Sequence, residues 1–96
     1  MDGLSKLGVS RSVIDRDPWE WPLHGLRYPP GNGATGWYLW TGEFSSDPAF
    51  FLPWHASHLL ARCPDLRELL DLTPGSRFMY GPDYMDVWED TAVLDI

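Results

Sequence analysis

The sequence predicts an α+β fold, a small antiparallel sheet packed against one or two short helices. Three stretches carry that prediction. Residues 36–41, Gly-Trp-Tyr-Leu-Trp-Thr, place large side chains at strand spacing on both faces. Residues 53–63 carry Ala56, Leu59, Leu60 and Cys63 at i, i+3, i+4, i+7, the stripe of an amphipathic helix. Residues 76–80 and 84–88 are strand-like runs joined by Gly81-Pro82-Asp83, a hairpin by length and residue type.

From the N-terminus, residues 1–8 read as a flexible end to a single domain spanning 1–96. Val9, Val13 and Ile14 fall at helical spacing with Ser10 or Ser12 to cap, so 9–17 is a short helix or an irregular edge. Pro18 and Pro22 bracket Trp19-Glu20-Trp21 and forbid a regular helix there. Leu26–Tyr28 is a brief strand, and 29–35, with Pro29-Pro30-Gly31-Asn32-Gly33, is a mobile loop. In the 36–41 strand, Trp37, Leu39 and Thr41 share one face and Tyr38 and Trp40 the other. Apolar groups on both faces indicate an interior strand, or one face reserved for a partner. Gly42 ends it.

Ser45-Ser46-Asp47-Pro48 reads as a turn or a helix entry, with Asp47 capping and Pro48 first in the helix. Pro53 opens the amphipathic helix. Pro64 stops it and starts a second short helix with Leu66, Leu69 and Leu70 inward. Thr73-Pro74-Gly75 suits a turn with proline second and glycine third. The predicted hairpin follows, and 92–96 is a last strand or tail.

Composition supports a folded chain. Hydrophobic residues make up 44%, with six Trp, four Tyr and four Phe, and a buried aromatic removes roughly 150–250 Å² from water. A single cysteine, Cys63, excludes an internal disulfide framework and a cysteine-rich zinc site. Residues 1–10 lack the apolar core of a secretory signal, and no run approaches the roughly 18 apolar residues of a membrane span. The chain therefore reads as cytoplasmic.

Charge narrows the partners. The net charge is −7, and no Lys or Arg follows Arg77, whereas Asp83, Asp86, Glu89, Asp90 and Asp95 do. Such a field disfavours nucleic acid and anionic lipid and attracts basic proteins, although it also serves solubility alone.

No catalytic or cofactor motif stands out. His55 and His58 can meet one metal at i, i+3, but they lack the i, i+4 frame with an intervening glutamate of a metalloprotease helix. They read as structural histidines beside a core seam, and no metal or cofactor is expected. Cys63 between Arg62 and Pro64 reads as a small buried hydrophobe rather than a nucleophile. Pairs such as Glu43 with Asp47 arise by chance in so acidic a chain. Trp37 and Trp88 read as core; Trp40, Trp54 and the Trp19/Trp21 pair are open between core and contact surface. Exposed Trp and Tyr beside acids are the make-up of a protein-binding hot spot.

The order of signals then becomes recognisable: Val9-Ser10-x-x-Val13-Ile14, Gly25-Leu26-Arg27-Tyr28-Pro29, Gly36-Trp37 with Thr41-Gly42-Glu43, Asp47-Pro48, Pro64-Asp65-Leu66 with Leu69-Leu70, and Gly75-Ser76-x-Phe78. It resembles the small tryptophan-containing immunity proteins of bacterial polymorphic toxin systems, a family long classed as a domain of unknown function. The resemblance covers most of 9–88 and places Gly36, Trp37, Gly42 and Glu43 on the family's central motif. Trp19–Pro22 looks like an insertion, and Phe50–His55 is more aromatic than the pattern. The resemblance implies a non-enzymatic α+β protein that binds and occludes a cognate toxin. Glu43, Asp47, Asp83, Asp86, Glu89 and Asp90 are the candidate acids facing a basic toxin, with Trp40 and Trp54 as aromatic anchors. The rivals are a metal-dependent or hydrolytic enzyme using His55 and His58, and a housekeeping interaction module.

Overall fold

The computed structural model describes residues 5–16, 19–31, 34–47 and 49–94. It is an α+β fold built on one six-stranded sheet. The elements are β1 (Lys6–Ser10), α1 (Arg11–Ile14), β2 (Leu23–Arg27), β3 (Ala34–Trp40), β4 (Phe51–His55), α2 (Ala56–Arg62), α3 (Leu66–Leu70), β5 (Ser76–Gly81) and β6 (Tyr84–Glu89), followed by a 3-10 turn at Thr91–Leu94. The strand order is β4-β1-β3-β2-β5-β6. Every neighbouring pair is antiparallel except β1 and β3, which run parallel.

The registers align the strands in rows. One row runs Pro53, Gly8, Tyr38, Leu26, Arg77, Trp88, and the next Leu52, Val9, Leu39, Gly25, Phe78, Val87. Because side chains alternate, consecutive rows face opposite sides of the sheet. The second row belongs to the side that shares its core with the helices. Leu7, Val9, Leu23, Trp37, Leu39 and Phe78 from the strands join Ala56, Leu59, Leu66, Leu69 and Leu70 in one cluster. Trp37 is 1% exposed, and its indole Nε1 donates to the Leu70 carbonyl at 2.9 Å, whereas the buried Nε1 of Trp19 in the same cluster has no partner among the described residues. Phe78 packs on Trp37 with ring centroids 5.4 Å apart and fills the space that Gly25 leaves open.

Several expectations hold. The stripe of Ala56, Leu59 and Leu60 is buried, α3 turns Leu66, Leu69 and Leu70 inward, and the 76–88 hairpin forms. The Thr73-Pro74-Gly75 turn closes through Ser76 N–H donating to Thr73 O at 3.1 Å, with Gly75 at φ 92°. That positive φ is why glycine stands there.

Other expectations are corrected. Residues 6–8, expected in a flexible end, lie in β1, where Leu7 is 3% exposed. Helix α2 starts at Ala56 rather than Pro53, because 51–55 pair with β1 as an edge strand. Proline is tolerated on an edge, where no N–H is needed on the outer side. Asp47 caps no helix; its Oδ1 accepts the Ala49 N–H at 2.9 Å within the loop leading to β4. The expected roles of Pro18, Asn32, Gly33 and Pro48, and of Asp95 and Ile96 in a last strand or tail, lie outside the described residues.

Candidate partner-binding site

The side of the sheet away from the helices is where function has room. It presents Phe51, Tyr38, Trp40, His24, Leu26 and Met79 from four of the six strands, and Tyr84, Asp86 and Trp88 from β6. A second, smaller apolar cluster of Leu26 and Trp40 forms there, flanked by Tyr28, Phe50 and Phe51.

The loop between β3 and β4 folds over one end of this face. Phe44 sits edge-on to Trp40 with centroids 5.3 Å apart, and Phe50 contacts Phe51 at 4.8 Å. Trp40 stacks on His24 at 5.3 Å. Burial, and secondarily the nearby Arg77 charge, lowers the His24 pKa below the ordinary histidine value. Trp40 is consequently 5% exposed, while Phe44 above it is 54% exposed. The accessible aromatic at this end is Phe44, and Trp40 is its support.

Glu43 and Asp47 are both exposed on the same loop. They rim a cavity of about 420 Å³ that also involves Arg11, Ser12, Thr41 and Ser45. The Thr41 side chain is buried, and its Oγ1 has no hydrogen-bond partner among the described residues. Beside this cavity a groove of about 520 Å³ crosses Gly8 and Gly36 between Phe44, Asp47 and Pro53. Gly36 holds φ 88°, and a Cβ there would lie 2.0 Å from the Tyr28 carbonyl oxygen. A side chain at 36 is therefore barred by backbone as well as by conformation.

At the far edge, all six residues of β6 are exposed. No β6 residue joins either apolar cluster. Tyr84, Met85, Val87 and Trp88 are 47%, 55%, 45% and 40% exposed. Trp88, expected in the core, is thus a surface residue, with the Arg77 guanidinium 5.6 Å from its ring centroid. Asp83, in the β5–β6 turn, and Asp86 lie beside these side chains, and Glu89 ends the strand on the opposite face. Asp90 is used internally, its Oδ2 accepting from Arg77 at 3.1 Å.

The two expected anchors do not converge. Trp54 lies opposite Leu7 on the helix side of the sheet, stacked on His58 at 5.3 Å under the Arg62 guanidinium at 4.9 Å. Arg62 in turn donates to the Val13 and Ile14 carbonyls at 2.8 and 3.0 Å, tying α2 to the end of α1.

A family model, that of the Imm33-like domain, matches residues 2–90. The chain belongs to the Imm33-like family. Neither a search of curated proteins nor one of solved structures found a match.

An Imm33-like domain is an immunity-type domain, which implies a protein partner. In this Imm33-like chain exposed aromatic and acidic side chains gather at the loop 42–50 and at strand β6, and Trp21, 40% exposed beside Glu20, packs against Trp19 and Tyr80. Glu43 and Asp47 fall at the first, Asp83 and Asp86 at the second, and Trp54 at neither. The imidazoles of His55 and His58 stack with planes 13° apart and centroids 5.9 Å apart. Among the described residues no group of three or more His, Cys, Asp or Glu is placed to hold a metal ion. Burial first, then Asp65, pushes the Cys63 thiol pKa up, the wrong direction for a nucleophile. Sequence reasoning passed over Phe44, Tyr84, Met85 and Val87. For the last three the signal was a strand, Tyr84 to Trp88, apolar on both faces with a single charge.

Proposed function

We propose that this chain is an immunity protein that neutralises a basic protein toxin by covering its functional surface. The observation that carries the reading is the Imm33-like match over residues 2–90. The geometry supports it. The loop carrying Glu43, Phe44 and Asp47 leaves β3 at the same end of the sheet as Asp83 and Tyr84, and β3 and β6 lie three strand spacings or about 14 Å apart. One interface of ordinary size, about 800 Å² on each partner, spans both.

Each patch pairs exposed aromatic surface with carboxylates. The aromatic rings supply affinity by leaving water, and the carboxylates steer a basic partner and fix its orientation. Trp40 acts from beneath by holding Phe44 in place.

Co-expression with the product of the adjacent upstream gene in a sensitive host tests the function. Rescue from toxicity with co-purification of a complex is the expected result. A toxic neighbour that this protein neither rescues nor binds would refute the reading.

A further inference from the structure

The two edges of the sheet differ in a way that bears on how a partner docks. On β4 the outer edge contains Pro53, which has no N–H to offer, and the strand runs directly into α2. On β6 there is no proline or lysine, and none of the usual devices that blunt an edge apart from Asp86 and Glu89. Asp90 N–H donates to Gly75 O at 2.7 Å, and Ser76 lies opposite Glu89. Bonded positions alternate along an antiparallel pair, so Tyr84, Asp86 and Trp88 bond inward to β5. Met85, Val87 and Glu89 turn their N–H and C=O groups outward.

We propose that the outer edge of β6 is a strand-addition site that takes an extended segment of the toxin alternating basic and apolar residues. The proposal rests on the immunity reading and specifies its docking mode. Main-chain bonds to Met85, Val87 and Glu89 would carry the segment as a seventh strand. Its apolar side chains then lie beside Met85 and Val87. Its basic side chains fall on the other face, beside Asp86 and between the rings of Tyr84 and Trp88, where a cation meets both a carboxylate and aromatic faces. Charge selects this occupant over a second copy of the chain. A second copy would bring another net −7 and an edge strand with no base to meet Asp86.

Val87→Pro removes an outward N–H that β5 does not use, so the domain still folds; Val87→Thr keeps that N–H. The first probe is a synthetic peptide alternating lysine and valine, followed by amide NMR. In the wild type and Val87→Thr, shifts and slowed exchange should concentrate at Met85, Val87 and Glu89. Binding should weaken about tenfold or more in folded Val87→Pro, and a glutamate–valine peptide should not bind. Shifts confined to another surface, no binding, or equal binding by Val87→Pro would overturn the proposal.

The second probe is the toxin rescue. Rescue by the wild type and equally by Val87→Pro would overturn strand addition and leave the immunity reading standing. Failure of the wild type to rescue would sink the immunity reading and, with it, the toxin as occupant. A dimer that Val87→Pro abolishes would assign the edge to a second copy and overturn the proposal.

Discussion

Trp40 and Phe44 touch each other, and replacing each by alanine should give opposite outcomes. Trp40 is 5% exposed and packed among His24, Phe44 and Phe51. Removing a buried tryptophan costs about 3–5 kcal/mol; at the lower bound, and at about 4 °C per kcal/mol for a domain of this size, Trp40→Ala should melt about 12 °C below the wild type. Phe44 is 54% exposed. Full burial of a phenylalanine is worth about 1.5–3 kcal/mol, so a ring less than half buried contributes about 1 kcal/mol and Phe44→Ala should melt only about 5 °C lower. Toxin affinity should reverse the order. At a temperature where both variants are folded, Phe44→Ala should weaken binding by about 2 kcal/mol, the lower limit of a hot spot. Thermal melts and titration calorimetry on the same samples read both quantities. A Trp40→Ala variant that melts with the wild type yet binds poorly would refute the support role and return Trp40 to the interface as an anchor.

Three further outcomes follow from the same structure. A Cβ on Gly25 would lie 2.1 Å from the Phe78 ring, so Gly25→Ala should destabilise by about 3 kcal/mol or more, and a second change, Phe78→Leu, should recover part of it in denaturant melts. The His24 pKa is depressed in the folded state, so the unfolded chain binds the proton better. The wild type should therefore lose stability as the pH falls through the ordinary histidine value of 6.5, and His24→Gln should lose less over that window. Burial and Asp65 raise the Cys63 thiol pKa, so alkylation at neutral pH should be slower in the folded protein than in the denatured chain; equal rates would contradict the packing described for Cys63.

What could be read from the sequence was what is local. The stripe of Ala56, Leu59 and Leu60 and the turn at Thr73-Pro74-Gly75 are set by neighbours a few residues away, and both formed as expected. The start of α2 was misjudged because proline opens helices and also sits in edge strands, and only pairing with β1 decides which applies at Pro53. Strand β1 was hidden because a five-residue run with a glycine at its centre has little pattern of its own. Its place between β4 and β3 comes from partners 25 or more residues away. Trp88 shows the same limit at the candidate site. Its residue type and spacing are those of a core strand, and strand order alone puts it at an edge beyond the helices. The acids were legible as a group, but which of them meets solvent and which, like Asp90, meets Arg77 depends on that same order.

The central claim is that the toxin covers β6 and the loop 42–50 together. Hydrogen–deuterium exchange on the free protein and on the co-purified complex tests it most directly. Slowed exchange concentrated at 42–50 and at Met85, Val87 and Glu89, with α2 and α3 unchanged, is the predicted result. Protection centred on α2 and α3, with β6 exchanging as in the free protein, would contradict it.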